Sequence, residues 1–329
     1  MTDPTDICVI IVTYNSEAYL PRCLAALSRQ TLTQFDIIVF DNASEITPDS
    51  LGAPLVGVQW VRSATNIGFA AANNAAARLT TSPWLALLNP DAFPEPDWLA
   101  ELVKARDRWP EVKLFGSTQI NAENPERLDG VGDVAHASGL VWRGGFGAPA
   151  ATTYSDAEIF SACGAAAFVE RETFLALGGF DEGFFCFCED VDLGYRLRRR
   201  GGRVVHAGGA VVAHVGGGSA GRRSAFATRL GARNRLWTFV KNAPGPLFWL
   251  MAPVHLIATV LVGLVATGRG LGGPYWSGVA EAIRAWPRVW AQRAAERRAA
   301  VADWRVLGAA LNWSPLAPLR RSSDRRPLT

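Results

Sequence analysis

Three carboxylates stand in settings that could support chemistry: Asp41, Asp91 and Asp190. Asp41 follows the apolar run 35–40, Asp91 closes Asn89-Pro90-Asp91, and Asp190 opens a helical run that Gly201-Gly202 stops. Taken singly, each is an ordinary turn or capping residue. Together they lie beside a span, 193–280, that carries Lys and Arg but no Asp or Glu. A basic, acid-free span calls for an anionic partner such as phosphate or a lipid headgroup. Converging carboxylates next to it suit Mg²⁺ or Mn²⁺, hard cations that take one or two carboxylates plus substrate phosphate oxygens.

The elements that must position these groups can be read from periodicity. A continuous β-branched run at 7–13 predicts a strand buried on both faces and 35–40 a second buried strand; 58–61 and 84–88 read as a short third and a fourth, and helical spacing predicts helices over 16–28 and 69–79. Alternating strands and helices specify a mixed, mainly parallel α/β sheet with helices on both faces. Ligands bind outside the carboxyl ends of such strands. Thr13-Tyr14-Asn15, Asp41-Asn42 and Asn89-Pro90-Asp91 all fall there. Further strands are expected at 162–170, 201–205 and 210–215, a helix over 193–200, and a Gly-rich loop over 139–147. The boundaries expected are 1–242 for the α/β domain and 243–329 for a helical, apolar and Arg/Trp-rich extension.

Within that extension, 247–267 is nearly uncharged and long enough, at about 1.5 Å per residue, to cross a bilayer core. Pro253 and His255 interrupt it, and a span would put the Arg-rich tail on the wrong side. A re-entrant or surface-lying element therefore fits better, with Trp and Arg at the interface. The start, Met1-Thr-Asp-Pro-Thr-Asp, has no basic and apolar signal pattern. Cys8, Cys23, Cys163, Cys186 and Cys188 form no CxxC pair, which suits a reducing cytosol. Cys186 and Cys188 read as buried thiols rather than a metal pair.

Six motifs occur in one order: Val12-Thr13-Tyr14-Asn15, Val39-Phe40-Asp41-Asn42-Ala43-Ser44, Asn66-Ile67-Gly68-Phe69, Leu88-Asn89-Pro90-Asp91-Ala92, Gly178-Gly179-Phe180-Asp181-Glu182 and Glu189-Asp190-Val191-Asp192-Leu193. Over roughly residues 6–242 the chain thereby resembles glycosyltransferase family 2, in the rhamnosyltransferase-like branch of bacterial surface-polysaccharide synthesis. The resemblance implies a GT-A fold and inverting, metal-dependent transfer of a sugar, such as L-rhamnose from dTDP-rhamnose. It also implies a dTDP- or UDP-linked donor, a saccharide acceptor linked to polyprenyl diphosphate, and a cytoplasmic location on the inner face of the cell membrane.

The resemblance also implies roles. Tyr14 stacks near the donor base, with Thr13 and Asn15 beside it, and Asp41 accepts a pyrimidine N3–H. Asn66 and Gly68 line the nucleotide, where glycine lets backbone approach a ligand. Asp91 and His214 hold the metal. Asn89 replaces the first aspartate of the family's DxD and contributes no charge. Asp190 is the general base, favoured by the positive end of its helix. Glu189 is its neighbour and rival, while Asp192 is expected to cap. Arg222, Arg223, Arg233 and Lys241 are candidate phosphate or acceptor contacts.

Gly216-Gly217-Gly218-Ser219-Ala220-Gly221 fits GxGxxG, but no acidic residue follows at ribose distance, so it is expected to be a loop over the donor. The Arg-rich tail contains no nucleic-acid module. The Asn89 departure also admits a catalytically idle nucleotide-sugar or membrane scaffold protein on the same fold.

Overall fold

In the computed structural model, residues 5–47, 57–217 and 224–328 are described. Parallel strands β1 (Ile7–Thr13), β2 (Asp36–Asp41), β3 (Val58–Arg62) and β4 (Trp84–Leu88) form one side of the ten-stranded main sheet in the order β3-β2-β1-β4. The apolar residues of β1, β2 and β4 bury both faces, as their unbroken runs require, while β3 lies half-exposed at the edge.

The region without a clear sequence period supplies short strands. These are β5 (Ala92–Pro94), β6 (Leu114–Asn121), β7 (Leu128–Gly130), β8 (Asp133–Ala135), β9 (Val141–Arg143) and β10 (Ala157–Glu158). The Gly-rich loop expected over 139–147 thus holds β9, which pairs with β8. Strand β11 (Ala166–Glu170) runs antiparallel between β4 and β6. The two strands expected at 201–205 and 210–215 are one long strand, β12 (Val204–His214), whose register on β6 shifts between Ala207 and Val211. Gly208-Gly209 lies in that shift, and glycine pairs in strands commonly mark such bulges.

Helices α1 (Leu20–Leu27) and α3 (Trp98–Arg108) cover one face of the sheet. On the other lie α2 (Gly68–Leu79), α4 (Arg171–Ala176) and α5 (Glu189–Arg199). Alternate residues of β1 serve the two cores: Val9 and Ile11 face one, Cys8 and Ile10 the other.

Beyond the sheet, α6 (Ala225–Asn242), α7 (Gly245–Gly268), α8 (Gly272–Arg284) and α9 (Trp286–Arg298) pack around Trp237, Phe239, Phe248 and Val289. Helix α7 is long and apolar enough to cross a membrane. Its buried stripe is Phe248, His255, Thr259 and Gly263, while Trp249, Leu256 and Leu264 are 70%, 64% and 60% exposed. A helix held by one stripe with its apolar remainder open differs from a core helix, which is buried all round. Helices α10 (Trp304–Ala310) and α11 (Ala317–Arg320) then return to the sheet. There Leu307 and Leu311 join Phe160, Val191 and Tyr195, and Arg326 bridges Glu158.

Candidate functional site

Parallel pairing sets Thr13, Asp41 and Arg62 side by side at adjacent strand ends. Asp41 is buried; its Oδ1 accepts the Ser44 N–H at 3.0 Å. Its Oδ2 lies 3.1 Å from Arg62 Nη1 yet has no hydrogen bond, so an acceptor position stays open. Tyr14, beside it, is 40% exposed and offers a ring face. Asn42 closes the edge: its Nδ2 donates to Asn66 Oδ1 at 2.8 Å, and its Oδ1 accepts the Ile67 N–H at 2.9 Å.

Three residues expected to touch the donor have other work. Thr13 is buried and its carbonyl accepts the Asn42 N–H at 2.8 Å. Asn15, at φ 46°, receives the Glu45 N–H on its side chain at 2.8 Å and staples two loops. Gly68 has φ +87°, and a Cβ there would lie 2.6 Å from the Phe185 ring. Glycine is needed for that backbone conformation and for Phe185, and no approach to a nucleotide is required to explain it.

The turn after β4 carries Asp91, and the end of β12 carries His214, because β5 and β12 pair with Ala92 opposite His214. His214 is buried, with Nε2 3.3 Å from Asp91 Oδ1 and Nδ1 2.7 Å from Asp129 Oδ2. Burial disfavours the imidazolium, but the bond to Asp129 and the nearby charge of Asp91 outweigh it and raise the pKa of His214. In its neutral form the ring that donates Nδ1–H to Asp129 turns the Nε2 lone pair toward Asp91, and that nitrogen makes no hydrogen bond. A carboxylate behind a histidine whose far nitrogen faces a second carboxylate is the arrangement that prepares a metal ligand. Asp91 and His214 therefore fit a divalent cation.

Arg143, at the end of β9, links this pair to the surroundings of Asp190. Its Nη1 bonds Asp129, and its Nη2 donates to Cys163 Sγ at 3.0 Å. Asp133, Cys163 and Asp190 bring their ligand atoms within 4.8 Å of one another. The Arg143 guanidinium already supplies positive charge to that trio, which argues against a second metal there. Asp190, in the first turn of α5, accepts the Gly164 N–H on Oδ2 at 3.0 Å and the Val191 N–H on Oδ1 at 2.8 Å. The next residue along, Ala165, accepts the Asn89 N–H at 2.9 Å, so Asp190 and the Asn89–Asp91 turn lean on one short segment. Burial, with Asp190 nearby, holds Asp133 well above the ordinary carboxylate pKa. The same two causes raise Glu189, which is buried with Oε2 unpartnered.

The family profile for Glycosyl transferase family 2 matches residues 8–171. The chain belongs to that family. Among curated proteins, N-acetylglucosaminyl-diphospho-decaprenol L-rhamnosyltransferase of Mycobacterium tuberculosis is 29% identical, over 75% of this chain and 87% of its own length. Rhamnosyltransferase WbbL of Escherichia coli K12 is 25% identical, over 60% of this chain and 78% of its own length. A solved mannosyltransferase from Pyrobaculum calidifontis, in complex with GDP-Man and Mn²⁺, superposes with a TM-score of 0.55 at 20% identity, over 90% of this chain and 87% of that one. The protein is a rhamnosyltransferase-like family 2 glycosyltransferase with a GT-A-like fold.

In this transferase the expected site residues divide. Tyr14, Asp41, Asn66, Asn89, Asp91, Asp190 and His214 line the strand ends or the adjoining β12 and α5, and Glu189 stands beside Asp190. Arg233 does not serve as a free phosphate contact: its Nη2 donates to the Phe184 carbonyl at 2.8 Å, and Glu281 lies 3.7 Å away. Lys241 is bound to Asp181 at 2.7 Å and to Asp192 at 2.9 Å. Asp192 is no cap but the fully buried centre of an ion cluster, because it faces α6 rather than the helix start. Arg222, Arg223 and most of the Gly-rich loop over 216–221 lie outside the described residues. Sequence reasoning missed Asp129, Asp133 and Arg143. Asp129-Gly-Val-Gly-Asp133 was the available signal: two acids spaced by glycines in a segment with no helical or strand period.

Proposed function

We propose that this transferase moves L-rhamnose from a dTDP- or UDP-linked donor to a hydroxyl of a lipid-linked saccharide, with inversion and with Mg²⁺ or Mn²⁺. The observation that carries the reading is the orphaned Nε2 of His214 facing Asp91, joined through Asp129 and Arg143 to the surroundings of Asp190. Asp91 and His214 would hold the cation, which when bound neutralises charge on the departing diphosphate. The open Oδ2 of Asp41 accepts a base N3–H, and the exposed Tyr14 ring stacks on the base.

Asp190 takes the proton of the acceptor hydroxyl as its oxygen bonds the anomeric carbon. The bond from that carbon to the diphosphate oxygen breaks, and its electron pair leaves with the nucleotide. Attack opposite the leaving group inverts the centre. Two backbone N–H groups hold the Asp190 side chain in place. The relatives named for rhamnosyl transfer, one with a diphospho-decaprenol acceptor in its name, support the choice of donor sugar and lipid acceptor. The open apolar face of α7 supports attachment to the inner face of the cytoplasmic membrane.

The test is incubation with a donor panel and a lipid-diphosphate saccharide, with mass spectrometry of the product. A product heavier by one deoxyhexose, abolished by EDTA and restored by Mg²⁺ or Mn²⁺, is expected. A different transferred mass would reject rhamnose, full activity in excess EDTA would reject the metal, and no product from any donor would favour an idle scaffold.

A further inference from the structure

Arg235 stands out among the basic residues of α6. Arg229 and Arg233 both reach Glu281, and Lys241 sits between two aspartates. Arg235 is half-buried, and among the described residues no carboxylate lies within ion-pair distance of it. Its Nη2 donates to the Tyr275 hydroxyl at 2.6 Å, and its buried Nε has no partner. A partly desolvated guanidinium without an anion is costly unless a ligand supplies the charge.

Its location says which ligand. The preceding residue, Asn234, donates to the carbonyls of Phe184, Cys186 and Phe187, the loop that leads into α5 and Asp190. On the other side Tyr275 of α8 passes its own proton to the Thr259 carbonyl of α7 at 2.7 Å. Arg235 is thus clamped between the base loop and the apolar helix. The Cys188 thiol, at the start of α5, senses the charges of Asp190 and Arg235 alike. Also on α7, His255 is 97% buried, points Nδ1 at the Ser138 carbonyl at 2.8 Å, and leaves Nε2 without a partner. That nitrogen can accept from a hydroxyl. A guanidinium, an unpaired imidazole nitrogen and an apolar helix meeting beside the base match an acceptor that is anionic at its middle and greasy at its tail.

We infer that Arg235, oriented by Tyr275, binds the diphosphate of a polyprenyl-diphosphate-linked acceptor, with the lipid chain leaving along the exposed face of α7. This rests on the proposed lipid-linked acceptor and goes beyond it by naming the subsite. The donor diphosphate belongs to the separate Asp91–His214 corner. A charge-assisted fork to diphosphate is expected to strengthen binding on the order of 10- to 100-fold.

The experiment measures binding to the full-length protein in detergent by calorimetry, with no turnover required. The probes are a short polyprenyl diphosphate, the matching polyprenyl alcohol, and a nucleoside diphosphate with Mn²⁺. The wild type should prefer the polyprenyl diphosphate over the alcohol by about 10-fold or more. Arg235→Gln should erase that preference and leave nucleoside diphosphate affinity unchanged. Tyr275→Phe, a milder change, should reduce the preference while keeping the charge, and it serves if Arg235→Gln does not fold. Either no preference in the wild type or an undiminished preference in both variants overturns the inference. Loss of nucleoside diphosphate binding in Arg235→Gln would reassign the residue to the donor. A wild type that shows the preference but transfers no sugar would sink the proposed function and leave this subsite standing.

Discussion

Substituting Asp192 by Asn should loosen the helix that carries Asp190, and the size of the effect follows from the charges it faces. Asp192 accepts from Arg196 at 2.7 Å, Lys241 at 2.9 Å and Asn242 at 2.7 Å, and its side chain is fully buried. Lys241 is shared with Asp181, so two carboxylates balance two cations. Asp192→Asn leaves one buried positive charge unmatched, a change that costs about 3–5 kcal/mol. For a domain of this size, that corresponds to a fall in melting temperature of roughly 5–10 °C.

Acid dependence adds a second signature. Burial opposes ionisation of Asp192, but Lys241 and Arg196 outweigh burial and depress its pKa. A depressed carboxylate pKa stabilises the fold at pH above the unfolded value, and that contribution is lost as pH falls below about 4. Burial also pulls His206 down to about 3, so its contribution is already being lost below about pH 6.5. The contributions of His206 and the other groups are common to both proteins, so below about pH 4 the wild type should lose melting temperature more steeply than the variant, which lacks the Asp192 carboxylate. Scanning calorimetry from pH 3 to 8 measures both. An unchanged melting temperature, or an identical acid slope in the two proteins, would refute the reasoning.

Asp41→Ala should weaken nucleotide-sugar binding by about 10-fold or more, since a charge-assisted hydrogen bond contributes about 1.5–3 kcal/mol, and titration of the donor checks it. Asp129→Asn removes the carboxylate behind His214, and calorimetry should register a loss of Mn²⁺ affinity on the order of 10- to 100-fold. Replacing Leu256, Leu261 and Leu264 together by Ser removes apolar groups contributing about 1.5–3 kcal/mol each. Sedimentation with anionic vesicles should then fall by at least about 100-fold, while secondary structure by circular dichroism stays intact.

Much of the site was legible because it lies where local patterns are strongest. Buried parallel strands read as unbroken apolar runs, so their ends at Asp41 and Asn89-Pro90-Asp91 could be found from residue type alone. Asp190 declared itself by preceding a periodic helix. What stayed hidden depends on distant partners. Asp129, Asp133 and Arg143 sit on strands of three residues, too short to show a period, and their meaning comes from His214 and Asp190 far along the chain. Lys241 and Arg233 looked like free cations because their partners, Asp181, Asp192 and Glu281, lie about 40 to 60 positions away. The sequence reads as two strands at 201–205 and 210–215, where the chain instead bulges and continues as one.

Asp190→Asn tests the division of labour between base and cation most directly. Donor binding with Mn²⁺, followed by calorimetry, and single-turnover sugar transfer should be measured on the same preparation. Retained donor affinity with transfer slowed at least about 100-fold is the expected pair of results. Transfer at the wild-type rate, or donor affinity lost along with transfer, would contradict the assignment of Asp190 as the proton acceptor.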